Sequence, residues 1–94
     1  MAAEPTIDAA LVRLRELLAD NDVALLDLVN RRLELVDQIK ERKAELGVAF
    51  VDPDREAWLL DHLRRANSGR LSDEGLRELL TTLLDLTKRE LARS

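Results

Sequence analysis

Read along one face, the segment from Leu25 to Leu46 gives Leu25, Leu28, Arg32, Val36, Ile39, Lys43 and Leu46. Arg32 and Lys43 stand where apolar residues would continue the stripe. Eleven residues apart on a helix is about three turns, so both point the same way, with Cα atoms roughly 16 Å apart. Two long side chains at that separation can lean toward one small anion between them. The alternative is that each snorkels, stem buried and charge in water. Arg15 lies a further roughly 25 Å back along the same rod, too far for one small ligand to be gripped by Arg15 and Lys43, or by Arg15 and Arg32, within a single chain. In an antiparallel dimer, Arg15 of one copy reaches the pocket of the other. Several cations converging in an acidic protein imply a small ligand carrying more than one carboxylate or phosphate. Arginine suits it, because its planar fork holds a carboxylate at two points.

A second group of charges sits in VDPDRE, residues 51–56. Asp52 followed by Pro53 is a good helix start: the aspartate caps free amides, and proline fits the first turn, where its missing N–H costs nothing. Arg55 is then the third helical residue, at the positive end of the helix dipole, where an acid is favoured. Asp54 and Glu56 offset that charge if Arg55 is a solvated surface residue, but a broken local rule also marks functional sites. Near the C-terminus, Leu76, Leu80, Leu83, Thr87 and Leu91 share a stripe in which Thr87 is the polar member. On spacing, its hydroxyl bonds a backbone carbonyl one turn back.

The elements that must carry these residues are helices. The chain has 94 residues, 46% hydrophobic and 36% charged, with three Gly, two Pro and two aromatic residues. A leucine-rich, charge-rich chain with few breakers reads as all-helical and as one small domain. Neither proline nor glycine interrupts Thr6 to Leu46, with Thr6 as cap and Gly47 where a C-terminal cap belongs. A second helix is expected from Pro53 to about Asn67 and a third from a Ser72 cap almost to the C-terminus, leaving residues 1–5 as a flexible N-terminus before a helical domain over 6–94. The first helix would be roughly 60 Å long, against roughly 22 Å and 33 Å for the others. Laid end to end, the two short helices barely span its apolar stripe, and the turns between them work against even that, so a second copy is expected to bury the rest in an intertwined homodimer. Leu17, Leu26, Val29, Leu33, Leu59, Leu60, Leu63, Leu79 and Leu84 read as core or interface, and Trp58 and His62 as partly exposed surface.

Composition also narrows the chemistry. No cysteine and one histidine leave little room for a thiolate site, a metal cluster or a serine–histidine triad. The net charge of −4 argues against general nucleic-acid binding. MAAEPTID carries acids and no long apolar run, so neither a secretory signal nor a membrane span is expected, and the cytoplasm is the default.

Taken together, LR (14–15), NRRLELVDQIKERK (30–43), VDPDRE (51–56) and the Thr87 stripe resemble the all-helical chorismate mutase family over about residues 11–91. The resemblance implies three helices per chain in an interlocked dimer, each of two pockets completed by the partner's long helix, and no cofactor or metal. It implies the Claisen rearrangement of chorismate to prephenate, on the route to phenylalanine and tyrosine. Carried onto this sequence, Arg15 from the second copy and Arg32 bind the substrate carboxylates, and Lys43 donates to the ether oxygen whose bond breaks. Asp52 and Glu56 lie near the ring hydroxyl, Arg55 helps close the pocket, and Thr87 stands where a serine is frequent. Arg31 and Arg42, one residue off the motif, fall on the surface.

A pericyclic rearrangement needs no nucleophile, metal or obligatory proton transfer. It needs a flexible dicarboxylate held in a chair-like shape and positive charge where the ether oxygen gains electron density. One departure stands out. The family usually places glutamine or glutamate one turn after the Thr87 position as a second donor to that oxygen, and this sequence has Leu91 there with Glu90 beside it. A small helix shift would bring Glu90 inward, where a protonated carboxyl donates. Without it the donor is missing, which points to a weak enzyme, one completed by a partner protein, or one acting on a chorismate relative. The competing readings are a mutase or lyase for 4-amino-4-deoxychorismate or isochorismate, and a non-catalytic helical module docking to the synthase that begins the shikimate pathway.

Overall fold

A computed structural model of the chain describes residues 8–93. Three helices account for its regular structure: α1 (Ala9–Leu46), α2 (Pro53–Ala66) and α3 (Asp73–Arg93), with no strand among the described residues. The all-helical expectation holds, and each boundary has a local cause.

At the start of α1, Asp8 Oδ1 accepts the amide of Ala10 at 2.9 Å, and the Asp8 carbonyl accepts Val12 N–H at 3.0 Å. The cap expected at Thr6, like the flexible segment 1–5, falls outside the described residues; within them α1 begins on Asp8, a residue type among the best N-caps. At its other end Gly47 has φ 70°, Gly47 N–H reaches Ala44 O (3.2 Å) and Val48 N–H reaches Lys43 O (3.0 Å). That pair of bonds satisfies two orphan carbonyls through a left-handed residue, the conformation glycine adopts without a Cβ penalty.

Asp52 caps α2 as expected, its Oδ1 accepting Arg55 N–H at 3.2 Å with Pro53 in the first turn. Asn67 ends α2, its N–H bonded to Leu63 O (2.9 Å), and its side chain then organises the turn by donating to Leu71 O (2.7 Å) and accepting Gly69 N–H (3.1 Å). Ser72 Oγ accepts Gly75 N–H at 3.0 Å to start α3.

The chain divides into two compact units, residues 1–32 and 33–94. The described part of the first is a stretch of α1 with no buried residue. There Leu14, Leu18, Val23, Leu25, Leu26 and Leu28 are each 55–67% exposed. The second unit holds the core, where α3 packs on α2: Leu76, Leu80 and Leu91 are buried, together with Thr87. Leu59, Leu60, Leu63 and Leu84 are half-buried in this unit, as packing residues should be, whereas Leu79 stays exposed. No helix of the described residues is long and apolar enough to cross a membrane.

Candidate functional site

Within the first unit, Arg15 is exposed and Arg32 half-buried. Seventeen helical residues separate them by roughly 25 Å, so one chain does not bring these two guanidinium groups together on a small ligand.

The second unit supplies the remaining candidates. Lys43 lies in the last turn of α1, half-buried, and its Nζ donates to the Phe50 carbonyl at 2.9 Å. The Gly47 turn makes this contact, because it reverses the chain and brings residue 50 back over the helix end. Lys40 sits 6.0 Å from the Phe50 ring centroid, at the outer limit of a cation–π contact. An ammonium has three donors. One carbonyl therefore fixes the head of Lys43 without exhausting its capacity to hold an anion.

The first turn of α2 gathers Asp52, Arg55 and Glu56. Asp52 is committed to its cap, and the side chain of Arg55 lies over Trp58, with Cζ 3.9 Å from the ring centroid. Trp58 in turn stacks on His62, centroids 4.7 Å apart and planes 11° from parallel. Glu56 faces the other way. It is half-buried at the α2–α3 seam, where its Oε1 meets Lys88 Nζ at 3.3 Å. A groove of about 320 Å³ lies between the two helices, with Glu56, Leu60, Arg77, Leu80, Thr81 and Leu84 among the residues that line it.

On α3 the Thr87 hydroxyl is buried and donates to Leu83 O at 2.6 Å, as its spacing suggested. Leu91 is buried one turn on, while the Glu90 carboxylate pairs with Arg93. Away from these residues, Asp61 has its carboxyl held below the usual aspartate range, chiefly by the hydrogen bond from Arg64 (2.9 Å), with Arg65 at 2.8 Å adding to the effect.

Three side chains next to the candidates carry no functional signal of their own in the sequence. Lys88 follows Thr87 directly, but nothing in the sequence pairs it with Glu56 across thirty-two residues. Arg77 becomes visible as a groove residue when its spacing to Leu80, Thr81 and Leu84 is set against α2. Trp58 reads from sequence as partly exposed surface and is exposed, and its ring lies against the Arg55 guanidinium.

In the second unit, Lys43 and Arg55 offer cationic donors, beside the carboxylates of Asp52, Asp54 and Glu56 and the buried Thr87 hydroxyl, and such donors can hold a small anionic ligand. A T-protein from Enterobacter agglomerans is 42% identical over 57 residues, which is 61% of this chain and 15% of that protein. The chain thus spans a small fraction of that relative's length. No solved structure shows significant similarity to it. The profile of "Chorismate mutase type II" matches residues 6–91. Because that match runs from before Arg15 through Leu91, the chain belongs to the type II chorismate mutase family.

Proposed function

We propose that the protein converts chorismate to prephenate in pockets shared between two copies of the chain. The observation that carries this reading is the extent of the family match: residues 6–91 include every candidate from Arg15 to Leu91. In this reading Arg32 and the second copy's Arg15 clamp the two carboxylates, which holds the enolpyruvyl arm over the ring so that the carbon–carbon bond forms as the carbon–oxygen bond breaks. Lys43 faces the ether oxygen, where negative charge grows in the transition state, and its carbonyl tether limits the reorganisation needed when that charge appears. Asp52 and Glu56 address the ring hydroxyl, Arg55 closes over the substrate and Thr87 lies by a carboxylate. Two copies are required because Arg15 and Arg32 are too far apart on one helix, and because the apolar face of α1 is otherwise left in water.

The test is direct. Purified protein added to chorismate should deplete the ultraviolet absorbance of chorismate and accumulate prephenate; a folded protein that leaves chorismate at its uncatalysed rate sinks the proposal.

A second reading is favoured by the turn after Thr87. Leu91 is buried and Glu90 is engaged by Arg93, so neither of these two residues offers a ready donor to the ether oxygen. Losing such a donor costs roughly 10²–10³ in rate at comparable oxyanion sites. The protein would then work on 4-amino-4-deoxychorismate or isochorismate, or be completed by, or serve as a docking module for, a shikimate-pathway synthase. Turnover of the three substrates side by side, with and without such a synthase, separates these cases.

A further inference from the structure

Arg55, Trp58 and His62 form a column on one side of α2. The guanidinium of Arg55 lies 3.9 Å from the centre of the indole one turn along, and the imidazole of His62 stacks on the same indole from the following turn, at 4.7 Å and 11°. Trp58 is 48% exposed, so burial does not explain where its ring is. Neighbouring rungs of the same helix fix it instead.

An aromatic face holds a guanidinium in a particular way. The attraction runs through the face of the cation, while the five N–H donors lie around its rim. A carboxylate partner would consume those donors and cancel the charge; an indole does neither. Long side chains on a helix also lean toward its N-terminus, which would swing Arg55 toward the carboxylates of Asp52 and Asp54. Contact with Trp58 draws it the opposite way.

We propose that Trp58 is a positioning residue: its indole face, backed by His62, holds the Arg55 guanidinium in place with its donors available to the substrate. This rests on the mutase reading above, in which Arg55 closes the pocket. Trp58 acts through Arg55 and touches no reacting atom. Its loss therefore weakens substrate capture and leaves the chemical step nearly intact.

The experiment compares chorismate turnover by the full chain and by Trp58→Ala, Trp58→Phe, Trp58→Leu, Arg55→Ala and the Arg55→Ala/Trp58→Ala double variant. Helical content by circular dichroism and oligomeric state are checked for each. Trp58→Ala should raise KM roughly two- to five-fold, the span expected for an exposed cation–π contact, with kcat changed less than KM. Trp58→Phe should restore most of the loss, because it keeps a π face. Trp58→Leu should not, because it keeps only apolar bulk. In the Arg55→Ala background, removing Trp58 should add nothing further, the mark of a residue acting through another. A separate reading needs no turnover: the Arg55 side-chain protons should be shifted upfield by the indole ring current in NMR spectra and return to ordinary values in Trp58→Ala. Full rescue by Trp58→Leu, or additive losses in the double variant, overturns the positioning role while leaving the mutase reading standing. If the unaltered protein fails to convert chorismate, the mutase reading falls and this role falls with it, even where the ring-current shift shows the stack intact.

Discussion

Lys43 shows how a cation can be poised without being neutralised. Its ammonium is tethered by the Phe50 carbonyl at 2.9 Å, and the side chain is half-buried, so its field is screened less than that of a surface lysine. If that charge stabilises the breaking carbon–oxygen bond, Lys43→Ala should lower kcat by roughly 10²–10³ with a smaller change in KM. Steady-state kinetics on variant protein with unchanged circular dichroism check this, and near-normal kcat would assign the rate effect elsewhere. Asp61 behaves differently, since its partner does neutralise it. Hydrogen-bonded by Arg64, its carboxyl titrates below the usual aspartate range in the folded chain. A depressed folded value means that the stabilisation is present above the unfolded value and is lost as pH falls through the folded one. The difference in urea midpoint between the protein and Asp61→Asn should accordingly shrink as pH is lowered from neutrality into the acid range below the ordinary aspartate value. A difference that stays constant with pH would mean that charge is not what Asp61 contributes.

Helix ends do much of the positioning, and they respond to single substitutions. The Gly47 turn that delivers Phe50 to Lys43 uses φ 70°, and a Cβ built there meets nothing within 4 Å. Gly47→Ala thus probes backbone strain without a steric clash. It should cost about 1–2 kcal/mol, read from the urea midpoint at unchanged m-value, and should reduce turnover because the Lys43 tether loosens. Ser72→Ala removes the Oγ that accepts Gly75 N–H, worth about 1 kcal/mol with no comparable effect on turnover. These ends were legible beforehand because capping is local: Asp52–Pro53, Gly47 and Ser72 each carry their own instruction. The start of α1 is less legible: Thr6 after Pro5 reads as the cap from sequence, while Asp8, a stronger capping type, accepts the Ala10 amide. The candidate site divides along the same line. Arg32, Lys43 and Arg55 announce themselves by breaking a stripe or a dipole rule. The Glu56–Lys88 contact depends on how α3 lies against α2, and the hold of Trp58 on Arg55 depends on rotamers. The first leaves no periodic trace; the second follows the spacing of one helix face, but spacing alone does not fix the rotamers.

For the molecule as a whole, the question is what covers the apolar face of α1. Its Leu14, Leu18, Leu25 and Leu28 are each more than half exposed, and fully burying such a side chain is worth about 1.5–3 kcal/mol. An exposed apolar face of this kind marks an association surface. If the proposed pairing is right, each pocket takes Lys43 from one copy and Arg15 from the other, and the two residues can be separated genetically. Arg15→Ala and Lys43→Ala proteins should each be nearly inactive alone, since every pocket in either homodimer lacks one of the two cations. Unfolded together in equal amounts and refolded, they form mixed dimers in which one pocket carries both defects and the other carries none. Half the dimers are mixed and half their pockets are intact, so about a quarter of normal activity should return. Activity that stays at the level of the parents after mixing, with mixed dimers shown by native mass spectrometry, would mean that each chain builds its pocket alone. In that case the exposed leucines of α1 would have to meet some other partner.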